Sequence, residues 1–297
     1  MTKGYVYTIL SAVIYGCMPL MANYIYMEGV NSLTLVFLRN FLALPILGVL
    51  AFLNRKKCNP TQKNIYTSSI PALFGCVLTP ILLFSSYNYL DSGVATVFHF
   101  VYTALVLILS IIFLRKKPNL ITLLGVIICF IGILCFYDSE RTLNTTGAIL
   151  ALASGLAFAI YIVILPKFQS TSFNGFTFCF YVSLWSSIMM LIICLSTNKL
   201  TLPKTLLGWV LCVVFATLIT VGAVVLFQQG SMIIGGVKSS ILSALEPTVS
   251  VILGIAIFKE SSNFNNIIGS VLVITSSILI AVFDFKNNQK EKLKNSN

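Results

Sequence analysis

The stretch Ser239–Phe258, SSILSALEPTVSVILGIAIF, is long enough to cross a bilayer, yet it holds a carboxylate, Glu246, followed directly by Pro247. A charge at membrane depth costs roughly 3 kcal/mol or more, and such residues mark pathways and sites. Proline removes a helix hydrogen bond and kinks the helix. An earlier stretch, Thr96–Leu114 (TVFHFVYTALVLILSIIFL), has the same shape and carries the chain's only histidine, His99, together with Tyr102. The pairing points to two copies of one unit, each with polar groups inside the membrane.

Composition sets the class. Hydrophobic residues make up 58% of the 297-residue chain and charged residues 9%, against about 25% charged in a soluble domain. So little charge cannot cover a surface in water, and the chain reads as an integral membrane protein. Its apolar runs lack the alternation of barrel strands, so the fold class is all-α. The cysteines (Cys17, Cys58, Cys76, Cys129, Cys135, Cys179, Cys194 and Cys212) form no CxxC pair and no cluster with histidine. Neither a disulfide framework nor a metal site is expected, and the thiols serve as small packing groups. The first apolar run is followed by no small-residue cleavage site, so it reads as a retained span.

Ten spans are predicted, over 5–26, 32–53, 67–89, 94–114, 119–137, 145–165, 174–195, 207–229, 239–258 and 264–284. The net charge of +11 is divided among the short connections, which is the pattern that orients a membrane protein rather than one that binds nucleic acid. With the N-terminus inside, fourteen Lys and Arg fall on inner segments and four (Arg141, Lys199, Lys204 and Lys259) on outer ones. Arg39 lies within a span. That asymmetry predicts both termini in the cytoplasm of a multi-pass plasma-membrane protein, and adding or removing one span would destroy it.

The chain repeats itself. A shift of 143 residues sets Gly4 on Gly147, Ser11 on Ser154, Tyr15 on Phe158 and Phe84 on Phe227. One further residue of shift sets His99 on Ser243, Tyr102 on Glu246 and Thr103 on Pro247. Each unit holds five spans, an odd number, so the second copy is inverted relative to the first. The predicted division is 1–141 and 142–286, with a basic tail over 287–297. Inverted repeats of this kind recur in secondary transporters, where the site lies near the midplane between the repeats.

Few residues can carry chemistry at depth. Glu246 lies seven residues into its span, about 10 Å from the inner end. It reads as a cavity-lining carboxylate for a cationic group or a proton, or as a structural hydrogen-bonding partner at the kink. Arg39 lies seven residues into the second span from the outer end. It reads either as a site for a substrate carboxylate or as half of a structural pair. Val182 stands at the matching place in the second unit. His99 and Tyr102 share one helix face, as do Ser243 and Glu246, so two equivalent helices each present a polar stripe. Of the aromatic residues, Tyr15 and Tyr161 are further candidates for the lining, against a plain packing role. Gln228 and Gln229 are read as lining the inner mouth of a cavity. No GxxxxGK[ST], GxSxG or HExxH motif occurs, so ATP hydrolysis and the corresponding hydrolase chemistries are not expected.

Taken together, SSILSALEPTVSVILGIAIFKE, ATVFHFVYTALVLILSIIFL and LTLVFLRNFLALPIL resemble the drug/metabolite transporter superfamily, specifically its EamA-like ten-helix members, over nearly the whole chain. The first unit departs from the family pattern: Thr103 stands in place of a proline and Lys116 in place of a glutamate. The second unit keeps both, as Pro247 and Glu260. Whether the first helix kinks is therefore open, and a threonine bonded to its preceding turn would bend it only weakly. The resemblance implies export or exchange of a small metabolite, such as an amino acid or an analogue, by alternating access. No enzyme activity and no cofactor are implied. The partners expected are a small-molecule substrate and the lipid bilayer, not nucleic acid, and a homodimer is left open. The alternatives are a proton-coupled importer or a uniporter, a lipid-modifying membrane enzyme, and a scaffold or sensor that does not transport. The residues expected at the site are Glu246, Arg39, His99, Tyr102, Ser243, Tyr15 and Tyr161.

Overall fold

A computed structural model describes residues 2–54, 61–90, 92–115, 118–135, 144–168, 174–258 and 264–294. Cys58, Glu260 and several charges of the connections (Arg55, Lys56, Lys57, Lys116, Lys117, Arg141 and Lys259) lie outside the described residues. The chain makes ten helical passages. The first three are α1 (Thr2–Met27), α2 (Ser32–Leu53) and α3 (Gln62–Ser86). Next come α4, in two pieces (Ser92–His99 and Tyr102–Leu114), and α5 (Leu120–Leu134). The second half holds α6 (Thr145–Phe168), α7 (Gly175–Ser196) and α8 (Leu206–Ile234). It ends with α9, in two pieces (Gly236–Ser243 and Leu245–Phe258), and α10 (Phe264–Lys294). The described residues contain no strand. Large apolar side chains such as Phe52, Ile112, Phe113, Ile192 and Leu195 point away from the bundle. They face lipid, because an apolar surface of this extent is tolerated only there.

Three ends differ from the sequence expectation by five residues or more. The third helix begins at Gln62 rather than at 67, because Thr61 caps it by accepting from the Asn64 amide at 3.3 Å. The eighth runs on to Ile234 rather than stopping at 229, and ends where Gly235 takes a φ of 89°. The last helix continues to Lys294, so most of the basic tail is helical backbone.

Inversion of the two units is visible in the backbone. Asn31 caps α2 by accepting from Thr34 N–H, and Asn174, its counterpart 143 residues on, caps α7 by accepting from Thr177 N–H, both at 2.8 Å. The Asn31 amide also donates to the Lys199 carbonyl just beyond the end of α7, at 2.6 Å. The Asn174 amide donates to the Asn54 carbonyl at the end of α2, at 3.1 Å. Each helix start is thus tied to the other helix's end, which requires α2 and α7 to run antiparallel. Thr61 and Thr205, 144 residues apart, cap α3 and α8 in the same way. Both of those helices contain a wide π-helical stretch, Ala72–Leu78 and Ala216–Val224, starting at equivalent positions. The first helix of each unit packs into the other unit: α1 lies against α8 and α9, and α6 against α3 and α4. The protein is an all-α membrane protein of ten helices in two inverted repeats.

Candidate functional site

Both α4 and α9 break at the same place in their repeat. The first breaks at Phe100–Val101, and the second, 144 residues later, at Ala244. In α9 Pro247 sits in the first turn after the break, where a missing N–H costs little. In α4 no proline is present. Nor does Thr103 bond its preceding turn, since its buried hydroxyl has no hydrogen-bond partner. The α4 break is packed against α6. Gly155 packs so closely that a Cβ there would lie 2.6 Å from the His99 carbonyl oxygen. Ser154 Oγ lies 2.8 Å from His99 Nδ1.

A cavity of about 80 Å³ lies between the two breaks. The second repeat contributes Phe158, Phe227, Ser243 and Glu246 to its lining, and the first contributes their repeat counterparts Tyr15, Phe84, His99 and Tyr102. The cavity therefore straddles the approximate twofold axis. The remaining walls, among them Arg39, Met18, Thr79, Leu83 and Tyr87, all belong to the first repeat. They carry the cavity from the breaks toward the face opposite the chain's start.

Six of the seven residues singled out in the sequence line this space: Glu246, Arg39, His99, Tyr102, Ser243 and Tyr15. Arg39 is 6% exposed, and its Nε has no hydrogen-bond partner. Among the described residues neither Arg39 nor Glu246 is engaged in an ion pair. Asn40 turns away and donates to the Val36 carbonyl at 2.8 Å. Tyr15 stands within electrostatic range of both Arg39 and Glu246. Tyr102, fully buried, stands beside Ser243. Burying an unpaired ionisable group is costly, and here an arginine and a glutamate are both left open to one small cavity.

Tyr161 is placed differently. Its ring lies on Gly75, and its phenolic oxygen accepts from Gln228 Nε2 at 3.0 Å. Gln228 is completely buried there rather than lining a mouth, because α8 continues past it. The pair belongs to an aromatic layer centred on Phe158. That ring meets Tyr102 edge-on at 4.8 Å and lies near-parallel to Tyr161 at 5.6 Å and Phe227 at 5.8 Å. Beyond this layer along α4, α6 and α8 lies a second space, a cleft of about 390 Å³ lined by Ser110, Asn119, Pro166, Ser231 and Gly235 among others. Phe158 and Phe227 were legible only through the repeat, because they align with Tyr15 and Phe84. Ser154 was legible only as the repeat counterpart of Ser11, and Tyr87, which lines the cavity, only as one of the aromatic residues of the spans.

Comparison with known proteins agrees with this architecture. The chain is 23% identical to YicL, an uncharacterised inner membrane transporter of Salmonella typhimurium, over 94% of this chain and 95% of that one. It is 20% identical to an uncharacterised transporter of Clostridium kluyveri over 100% of this chain and 98% of the other. A crystal structure 14% identical in sequence superposes with a TM-score of 0.77 over 94% of this chain and 98% of its own, which supports the fold. The profile of the EamA-like transporter family matches twice, over residues 2–137 and 145–282, one match per repeat. With two matches spanning the two inverted units, this chain belongs to the EamA-like transporter family and is a membrane transporter.

Proposed function

We propose that this protein exports a small metabolite carrying both a carboxylate and an amine, an amino acid or an analogue, by alternating access across the plasma membrane with both termini in the cytoplasm. The observation that carries the reading is that Arg39 and Glu246, neither of them in an ion pair among the described residues, line one cavity on the repeat axis. The guanidinium offers a fork of donors to a carboxylate, and the Glu246 carboxylate accepts from an ammonium. The aromatic layer closes the cavity toward the face where the chain begins, and Leu83 and Tyr87 flank its path to the other face. Exchange of the two closures by rocking of the repeats would expose the site to each side in turn.

Transport in proteoliposomes tests this directly. Glu246→Gln and Arg39→Leu should each depress uptake of the cargo severely while leaving a folded, monodisperse protein. If both variants transport like wild type, the site assignment fails. Imposing a pH gradient on the same vesicles separates this reading from a proton-coupled importer, for which Glu246 would be the natural proton carrier.

A further inference from the structure

The ring of His99 is oriented by a short chain of hydrogen bonds that ends in a backbone carbonyl. Its Nδ1 lies 2.8 Å from Ser154 Oγ, and that oxygen lies 2.6 Å from the carbonyl oxygen of Ala151 on the same helix. A serine hydroxyl has one proton to give, and a carbonyl has none. Two oxygens at that separation attract only if the serine proton lies between them. Ser154 therefore donates to Ala151 and can only accept from His99, so the proton of that contact resides on Nδ1. The arrangement is rigid. Ser154 is completely buried, and its neighbour Gly155 is packed against the His99 carbonyl. The imidazole is walled by the rings of Phe100, Tyr102 and Phe158 at centroid distances of 5.9, 5.2 and 5.6 Å, of which only Tyr102 carries a hydrogen-bonding group. A neutral imidazole with its proton on Nδ1 keeps a lone pair on Nε2.

We propose that Ser154 sets His99 as a hydrogen-bond acceptor, with Nε2 offered to the cavity that also holds Glu246, and that the two acceptors together select a cargo whose cationic group carries N–H donors. A primary ammonium has three such donors and satisfies both acceptors. A quaternary ammonium carries the same charge but leaves both unpaired, and a site built to hydrogen-bond a donor rejects the analogue that lacks it. In this arrangement His99 touches the cargo and Ser154 is a positioning residue acting through it. The selection rests on the cavity being the transport site, but the state of the ring does not.

Because the chain has a single histidine, nuclear magnetic resonance on full-length protein in nanodiscs, labelled with heavy nitrogen in histidine only, reports one ring. The expected spectrum has a protonated Nδ1 and an unprotonated, pyridine-like Nε2. In Ser154→Ala that preference should be lost, and Ser154→Thr should restore it. Methylammonium should shift the Nε2 signal saturably, and tetramethylammonium should bind about tenfold or more weaker, the worth of one hydrogen bond. A wild-type ring with its proton on Nε2 overturns the proposal whether or not the vesicles transport. An unprotonated Nε2 that responds to neither cation, or equally to both, overturns it as well. Unimpaired transport by the Arg39 and Glu246 variants would instead overturn the transport-site reading, and that outcome is read from flux rather than from the ring.

Discussion

The broken helices α4 and α9 are the same device built from different residues. Each bends at the same point of its repeat and presents two polar groups to one cavity: His99 and Tyr102 from α4, Ser243 and Glu246 from α9. In α9 a proline stands in the first turn after the break. In α4 the bend is held without one, by the Gly155 contact and the His99–Ser154 hydrogen bond. The α9 break has an equivalent support. A Cβ on Gly16 of α1 would lie 3.1 Å from the Glu246 carbonyl and 2.6 Å from Val249. In both repeats, then, a glycine of a neighbouring helix packs against the break, which in α9 is accompanied by a proline and in α4 is not. What differs is the chemistry presented, a carboxyl group on α9 against hydrogen-bonding aromatic groups on α4.

That contrast can be broken in order of expected effect. If the charge on α9 is the anchor of the site, Glu246→Gln should lower transport by about 10- to 100-fold, the worth of one hydrogen bond to a charged group. Tyr102→Phe, which removes only a neutral hydroxyl from the partner position, should lower it by about tenfold at most. Equal effects in a flux assay would erase the asymmetry between the helices. Next, Gly155→Ala forces a Cβ onto the His99 carbonyl and should cost about 1–3 kcal/mol of stability, the usual penalty of overpacking. A detergent-resistance or thermal-unfolding midpoint unchanged from wild type would remove α6 as the cause of the α4 bend. Gln228→Leu removes the donor to Tyr161 beneath the cavity. It should cost about 1 kcal/mol and raise labelling of a cysteine placed at Thr79, in the cavity behind the layer, by a reagent added from the N-terminal face. A labelling rate unaltered by the substitution would mean that the pair does not help to close that side. The smallest effect is expected from Pro247→Ala, about 1 kcal/mol or less, with transport retained. Loss of transport in a folded Pro247→Ala protein would show that the α9 bend depends on its proline after all, and that the two helices bend for different reasons.

The kind of information each residue carried explains what was legible beforehand. Glu246 and Arg39 stood out because a charge in an apolar run is rare and expensive, and both line the cavity. His99, Tyr102 and Ser243 were found through the repeat, since equivalent positions in inverted units converge on the axis between them, and Tyr15 was found as an aromatic residue of its span. Tyr161 was singled out by type alone. Type alone does not say which way a ring points, and this one lies on Gly75 and bonds Gln228. The caps Asn31 and Asn174, and Thr61 and Thr205, recur at the repeat offset and were available in the sequence. Their reciprocal bonds between α2 and α7 were not, because those depend on which helix ends meet.

By itself the sequence determined the class, the number of passages and the inverted repetition. All three follow from local quantities: apolar length set against bilayer thickness, the scarcity of charge, and a recurring spacing of residues. Only the tertiary structure decided where α4 bends, which hydroxyl directs the proton of His99, and that an arginine and a glutamate from distant spans open onto one cavity. Each of these is settled by the approach of one helix to another. Such an approach depends on the side chains at a single crossing, and a one-dimensional pattern of polarity does not encode which crossing that will be.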